Sequence, residues 1–151
     1  MRRAAPGVGT GVSLWGAVAL GAALLVTLGV ALLLRARDGH VRAGAGGSGG
    51  WALAEHAPSG PDRVLLLQLS SPVCTPCRQT AAVLTELTGQ TPGLVHVELD
   101  VADRPDVARE LGVMRTPTVV AFDRDGAELL RVSGVPRTGD LLAGVGPALS
   151  A

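Results

Sequence analysis

Apolar residues in this chain fall into one long run and several short ones. The long run, residues 12–34, reads VSLWGAVALGAALLVTLGVALLL and contains no charged side chain. Roughly 23 residues rising 1.5 Å each span a hydrocarbon layer of about 30 Å. A surface helix of a soluble domain would carry a polar face, and this run has none. A cleaved signal peptide has a shorter apolar region closely followed by a small-residue cleavage site. Here the run ends in Arg35, Arg37, Asp38 and Arg42, and the small-residue stretch Ala43-Gly44-Ala45 lies well downstream. The pattern therefore predicts a retained, single-pass N-terminal anchor in a membrane, preceded by a tail over residues 1–11.

Residues 35–61 are rich in Gly and Ser and predict a flexible tether. The short stretch Trp51–His56 is compatible with a leading strand. A domain is predicted over 62–151, where the periodicity changes. Val64–Ser70 (VLLLQLS) has the length and continuity of a buried strand. Residues 77–89 place Ala81, Leu84 and Thr88, and Val83 and Leu87, at helical spacing, with Gly89 as a stop. Gly93–Asp100 alternates, placing Leu94, His96 and Glu98 on one side and Val95, Val97 and Leu99 on the other. Asp103 is suited to cap a short helix over 104–111, with Pro105 in its first turn and Gly112 as its stop. Thr118–Asp123 and Ala127–Ser133 read as strands joined by the turn signal Asp125-Gly126. Thr138 is suited to cap a last helix over about 139–149.

The predicted order is β-α-β-α-β-β-α. Strands joined through a helix lie parallel with a right-handed crossover, and the hairpin adds an antiparallel strand. The expectation is an α/β domain with a four-stranded mixed sheet and helices on both faces.

Charge refines the picture only slightly. Residues 1–61 hold five arginines against Asp38 and Glu55, whereas 62–151 hold eight arginines against eleven acids. A mildly acidic domain has no electrostatic reason to bind nucleic acid. Arg2 and Arg3 precede the apolar run and Arg35, Arg37 and Arg42 follow it, so the positive-inside count is nearly even and leaves the side of the membrane open. All thirteen basic residues are arginine, which excludes lysine chemistry such as a Schiff base.

The chain has two cysteines, in Cys74-Thr75-Pro76-Cys77, between the predicted buried strand and helix. Two intervening residues on a first helical turn bring the sulfurs within bonding reach. The orphan N–H groups and dipole of the helix stabilise a thiolate at Cys74, and Pro76 fits a first turn, where its missing N–H costs nothing. Cys74 would be the exposed nucleophile and Cys77 the resolving thiol. A zinc site would need four N or S ligands, and only His40, His56 and His96 are on offer, so no metal is expected. Two inert cysteines or a structural disulfide are the remaining alternatives.

Beyond that local chemistry, residues 64–134 resemble the thioredoxin family. The resemblance is carried by CTPC after a strand, by Leu111–Thr118 (LGVMRTPT), by Phe122–Gly126 (FDRDG) and by Gly134. It implies a cis peptide at Pro117 facing the cysteine pair; read alone, this proline would be a trans residue opening an edge strand. It also implies a partner-binding groove that includes Thr116, with Thr75 and Pro76 beside it. Two departures stand out. Gln68 occupies the position of the family's buried acid, six residues before the first cysteine, and Val73 that of its tryptophan. Gln68 can hydrogen-bond but takes no proton near neutral pH.

The resulting expectation is a membrane-tethered thiol–disulfide oxidoreductase, similar to the membrane-anchored thioredoxin-like proteins of bacteria. It would exchange disulfides with protein partners and need no cofactor beyond its own Cys74–Cys77 disulfide. Gln68 and Arg115 are candidate modulators, Arg115 as a cation for a thiolate or a partner carboxylate. His96 reads as a half-exposed strand residue. The competing expectation is a redox-inactive adaptor that binds a membrane partner through the groove.

Overall fold

A computed structural model describes residues 14–37, 41–43 and 49–150; the predicted tail, 1–11, lies outside them. The chain divides into two units, Met1–Arg37 and Asp38–Ala151. The first contains helix α1, Leu14–Arg37. Its stretch Trp15–Leu33 is long and apolar enough to cross a membrane, and Leu20, Leu24, Leu25, Leu32 and Leu33 are all exposed.

The second unit holds a five-stranded sheet in the order β1-β5-β4-β2-β3. Its strands are β1 (Val41–Ala43), β2 (Val64–Ser70), β3 (Leu94–Asp100), β4 (Thr118–Phe122) and β5 (Glu128–Ser133). Helices α2 (Gly50–Leu53), α3 (Thr75–Gln90), α4 (Pro105–Glu110) and α5 (Thr138–Ser150) complete it. The four expected strands form the body of the sheet: β2 and β3 run parallel, and β4 runs antiparallel to both β2 and β5. Every residue of β2 is buried, because helices cover both faces. Val64, Leu66, Val119 and Ala121 pack in one core with Leu84 of α3 and Leu141 and Val145 of α5. Leu65, Leu67, Leu69, Val120 and Phe122 pack in the other with Val107 of α4 and Trp51 of α2. Each such leucine contributes roughly 1.5–3 kcal/mol relative to an exposed one.

The tether reading of 35–61 is corrected. Helix α1 continues to Arg37, and Val41–Ala43 add a fifth strand, pairing with β5 from Val41 opposite Val132 to Ala43 opposite Leu130. Trp51 is 5% exposed and helical, not in a strand. Its Nε1–H donates to Asp123 O at 2.6 Å, and the N–H of Gly49 donates to Gly126 O at 3.0 Å, which fastens the leading segment to the β4–β5 turn. Gly50 is required there, since a Cβ would lie 2.1 Å from the Phe122 ring. Gly126 has φ +87°, the left-handed value its turn demands. Composition reported backbone freedom and missed docking, because one indole in a fitted pocket outweighs several glycines.

The helix boundaries shift as well. α3 begins at Thr75, with Thr75 and Pro76 on its first turn ahead of the apolar repeat over 77–89. The residue capping α4 is Arg104, with no side-chain cap bond, in place of Asp103.

Candidate active site

The cysteines sit where β2 ends and α3 begins. Cys74 is the N-cap of α3, with extended backbone (φ −94°, ψ 103°), and Pro76 occupies the first turn. The two sulfurs form a disulfide, with Cα atoms 5.2 Å apart. The Cys77 N–H donates to Cys74 Sγ at 3.1 Å, so an orphan donor of the helix is aimed at that sulfur. The pair is asymmetric: Cys77 is 1% exposed, and Cys74 is partly accessible.

On one side lies a groove of about 310 Å³ lined by Pro76, Gln79, Arg115, Thr116, Pro117, Gly134 and Val135. The Thr116–Pro117 peptide bond is cis. The Thr116 hydroxyl lies 3.1 Å from the Ser71 hydroxyl, joining the two loops, and the Thr118 hydroxyl donates to Arg115 O at 2.8 Å. Met114 and Val73 are 95% and 92% exposed beside the site.

On the other side lies a cleft of about 410 Å³, lined by both cysteines, Ser70, Ser71, Pro72, Arg78, Glu98, Asp100 and Asp103. Beneath Cys77 the Gln68 side chain is fully buried. Its Nε2 donates to Cys77 O and to Glu98 Oε1, each at 3.0 Å, and its Oε1 lies 3.2 Å from His96 Nε2. Burial holds the His96 imidazole below its ordinary value, against an opposing pull from the Glu98 carboxylate. A neutral His96 with its proton on Nε2 donates to Gln68 Oε1 and satisfies the whole amide.

Of the residues singled out in the sequence, Cys74, Cys77, Pro76, Thr116 and Pro117 gather within this region. Thr75 is exposed and lines neither cavity; its hydroxyl accepts from Arg78 Nη2 at 3.2 Å. Arg115 lines the groove and not the cleft that holds the sulfurs. Sequence reasoning missed Ser71, Gln79, Val135 and the link from Gln68 to His96 and Glu98. Alternation had put His96 and Glu98 on one side of their strand, yet nothing local revealed that Gln68 stands opposite Glu98 in the parallel register.

With this geometry, the molecule compares with known proteins as follows. The family model described as Thioredoxin matches residues 55–145. A thioredoxin H5 from Oryza sativa subsp. japonica is 32% identical over 82 residues, covering 54% of this chain and 56% of that protein. A thioredoxin from Mycolicibacterium smegmatis is 30% identical over 93 residues, covering 60% of this chain and 82% of that protein. Among solved structures, the oxidized form of mitochondrial thioredoxin 3 from Saccharomyces cerevisiae is similar at 28% identity and a TM-score of 0.50, over 57% of this chain and 79% of that one. A mutant thioredoxin from Halobacterium salinarum NRC-1 is similar at 26% identity and a TM-score of 0.53, over 58% and 76%. The chain spans about half the length of several curated relatives it matches. With more than half of its residues matched by one family model, and with a cysteine pair at the N-terminus of α3 beside a cis-proline loop, the chain belongs to the thioredoxin family.

Proposed function

We propose that the protein is a thiol–disulfide oxidoreductase that exchanges disulfides with protein partners and is held to a membrane by α1. The observation that carries this reading is the asymmetry of the bonded pair: a partly accessible Cys74 capping α3 and a buried Cys77 one turn along. In the reduced protein, the Cys77 N–H and the α3 dipole stabilise a Cys74 thiolate. That thiolate attacks a partner disulfide, giving a mixed disulfide and releasing one partner thiolate. Cys77 loses its proton and attacks Cys74 Sγ, which closes the internal disulfide and releases the second partner thiolate. The groove beside Thr116 and Pro117 is suited to an extended partner segment, and the charge it offers is that of Arg115.

The test uses the full chain in detergent with a disulfide-bonded reporter peptide. Cys77→Ser is expected to accumulate a covalent adduct with the peptide, and Cys74→Ser to form none. If neither variant behaves so, the adaptor reading takes over, which the substitutions Gln68 and Val73 at family positions favour. Anchoring is tested separately. The chain should stay with membranes through alkaline carbonate and leave them with detergent, and release by carbonate would refute the anchor. A membrane-impermeant maleimide on Cys77→Ser, in intact against lysed cells, then reports which side carries Cys74.

A further inference from the structure

We infer that the Glu98 carboxylate is the proton acceptor that lets Cys77 act as resolving thiol. The inference rests on the exchange reading above. A thiol must lose its proton before it attacks, and Cys77, at 1% exposure, has no broad path to bulk water. It lines the same cleft as Glu98. The buried amide beneath it takes no proton near neutral pH. That amide does something else: one Nε2 hydrogen goes to Cys77 O and the other to Glu98 Oε1, both at 3.0 Å. Gln68 thus ties an exposed carboxylate to the first turn of α3. His96, donating to Gln68 Oε1, fixes the orientation in which the amide nitrogen faces Glu98.

Other charged groups face the same space. Arg78 comes from α3, and Asp100 and Asp103 from the end of β3 and the turn after it. Asp100 is engaged in that turn, its Oδ1 accepting from the Ala102 N–H at 2.8 Å. No bond through Gln68 connects Asp103 to Cys77 among the described residues. Glu98 is the carboxylate held in register with the resolving thiol through Gln68. In the step itself, the Cys77 S–H proton passes through solvent in the cleft to Glu98. The Cys77 thiolate then forms the S–S bond to Cys74 as the Cys74–partner S–S bond breaks, and the electron pair leaves on the partner thiolate. Glu98, being exposed, returns the proton to water. In this scheme Glu98 takes the proton through solvent, and Gln68 is the positioning residue that holds it in register with Cys77.

Stopped-flow reaction of the reduced full chain, in detergent, with dithiobis(nitrobenzoate) separates the two attacks. One nitrothiolate is released when Cys74 attacks and a second when Cys77 resolves the adduct. Glu98→Gln is expected to slow the second phase about ten-fold near neutral pH and to spare the first; this is smaller than the 10²–10⁴ of a base in direct contact. The second phase of the variant should rise more steeply with pH than that of the wild type until the two converge. Glu98→Asp should recover part of the rate, and Glu110→Gln, at an exposed carboxylate that lines neither cavity, should match wild type. A Glu98→Gln second phase equal to wild type in rate and pH profile would overturn the inference. Absence of both phases in the wild type would instead overturn the exchange reading, and it is read before any variant is made.

Discussion

The two sides of the disulfide differ in kind. The groove side is built from Pro76, Thr116, Pro117 and Val135, with Arg115 as its charged residue. The cleft side carries Glu98, Asp100, Asp103 and Arg78 over the buried amide of Gln68. One side suits the backbone and apolar side chains of an incoming segment; the other suits the movement of protons. An exchange cycle needs both, and the fold separates them by putting the sulfurs at the tip of α3 between two loops. Changes on the groove side should alter how fast a partner is attacked. On the cleft side they should alter how fast it is released.

Substitution of the sulfurs divides the cycle most sharply. Cys74→Ser should remove exchange altogether. Cys77→Ser should keep the attack and lose the release, read as a stable adduct on non-reducing gels. Next in size is Gln68→Leu, which strips the partners from Cys77 O, Glu98 and His96. A buried polar group left unpaired costs roughly 1–3 kcal/mol, measurable as a lower urea midpoint, and the resolution rate should fall with little change in attack. An unchanged midpoint would mean the network is not held in solution.

Arg115→Ala should have a smaller effect, confined to the groove. Exposed charges contribute about 0.2–1 kcal/mol, so attack on an acidic reporter peptide should slow by roughly two- to five-fold, less at high salt, with resolution untouched. Equal rates on acidic and neutral peptides would remove Arg115 from partner recognition.

The gentlest effect concerns pH. His96 titrates below its ordinary value of 6.5 in the folded chain, chiefly because it is buried. Below about 6.5 the unfolded chain therefore binds the proton more readily, and stability rises with pH in that window. The contribution of His96 is complete above its unfolded value and is lost as pH falls through it toward the folded one. Urea midpoints compared between about pH 7.5 and 5.5 should show this slope, and His96→Gln should flatten it. A variant with an unaltered slope would assign it to other groups.

The cysteine turn was more legible in the sequence than the carboxylate of the cleft. Cys74, Pro76 and Cys77 lie on one turn, so neighbours along the chain suffice to read them, whereas the groove at Thr116 and the cis Pro117 were implied only by the family resemblance. Glu98 and His96 matter only because β3 pairs in parallel with β2 in one register, bringing Glu98 opposite Gln68. A shift of one residue would turn both away, and no local pattern encodes that register.

By itself the sequence determined the elements whose physics is short-range. These are an apolar run long enough to cross a bilayer, four strands and three helices set by alternation and helical spacing, and a dithiol on a helix N-terminus. Tertiary structure alone decided the fifth strand at Val41–Ala43, the docking of Trp51 under the β4–β5 turn, and the carboxylate that shares a cleft with Cys77. Each of these depends on contacts between residues far apart in the chain, which form only when the sheet and its helices have packed together.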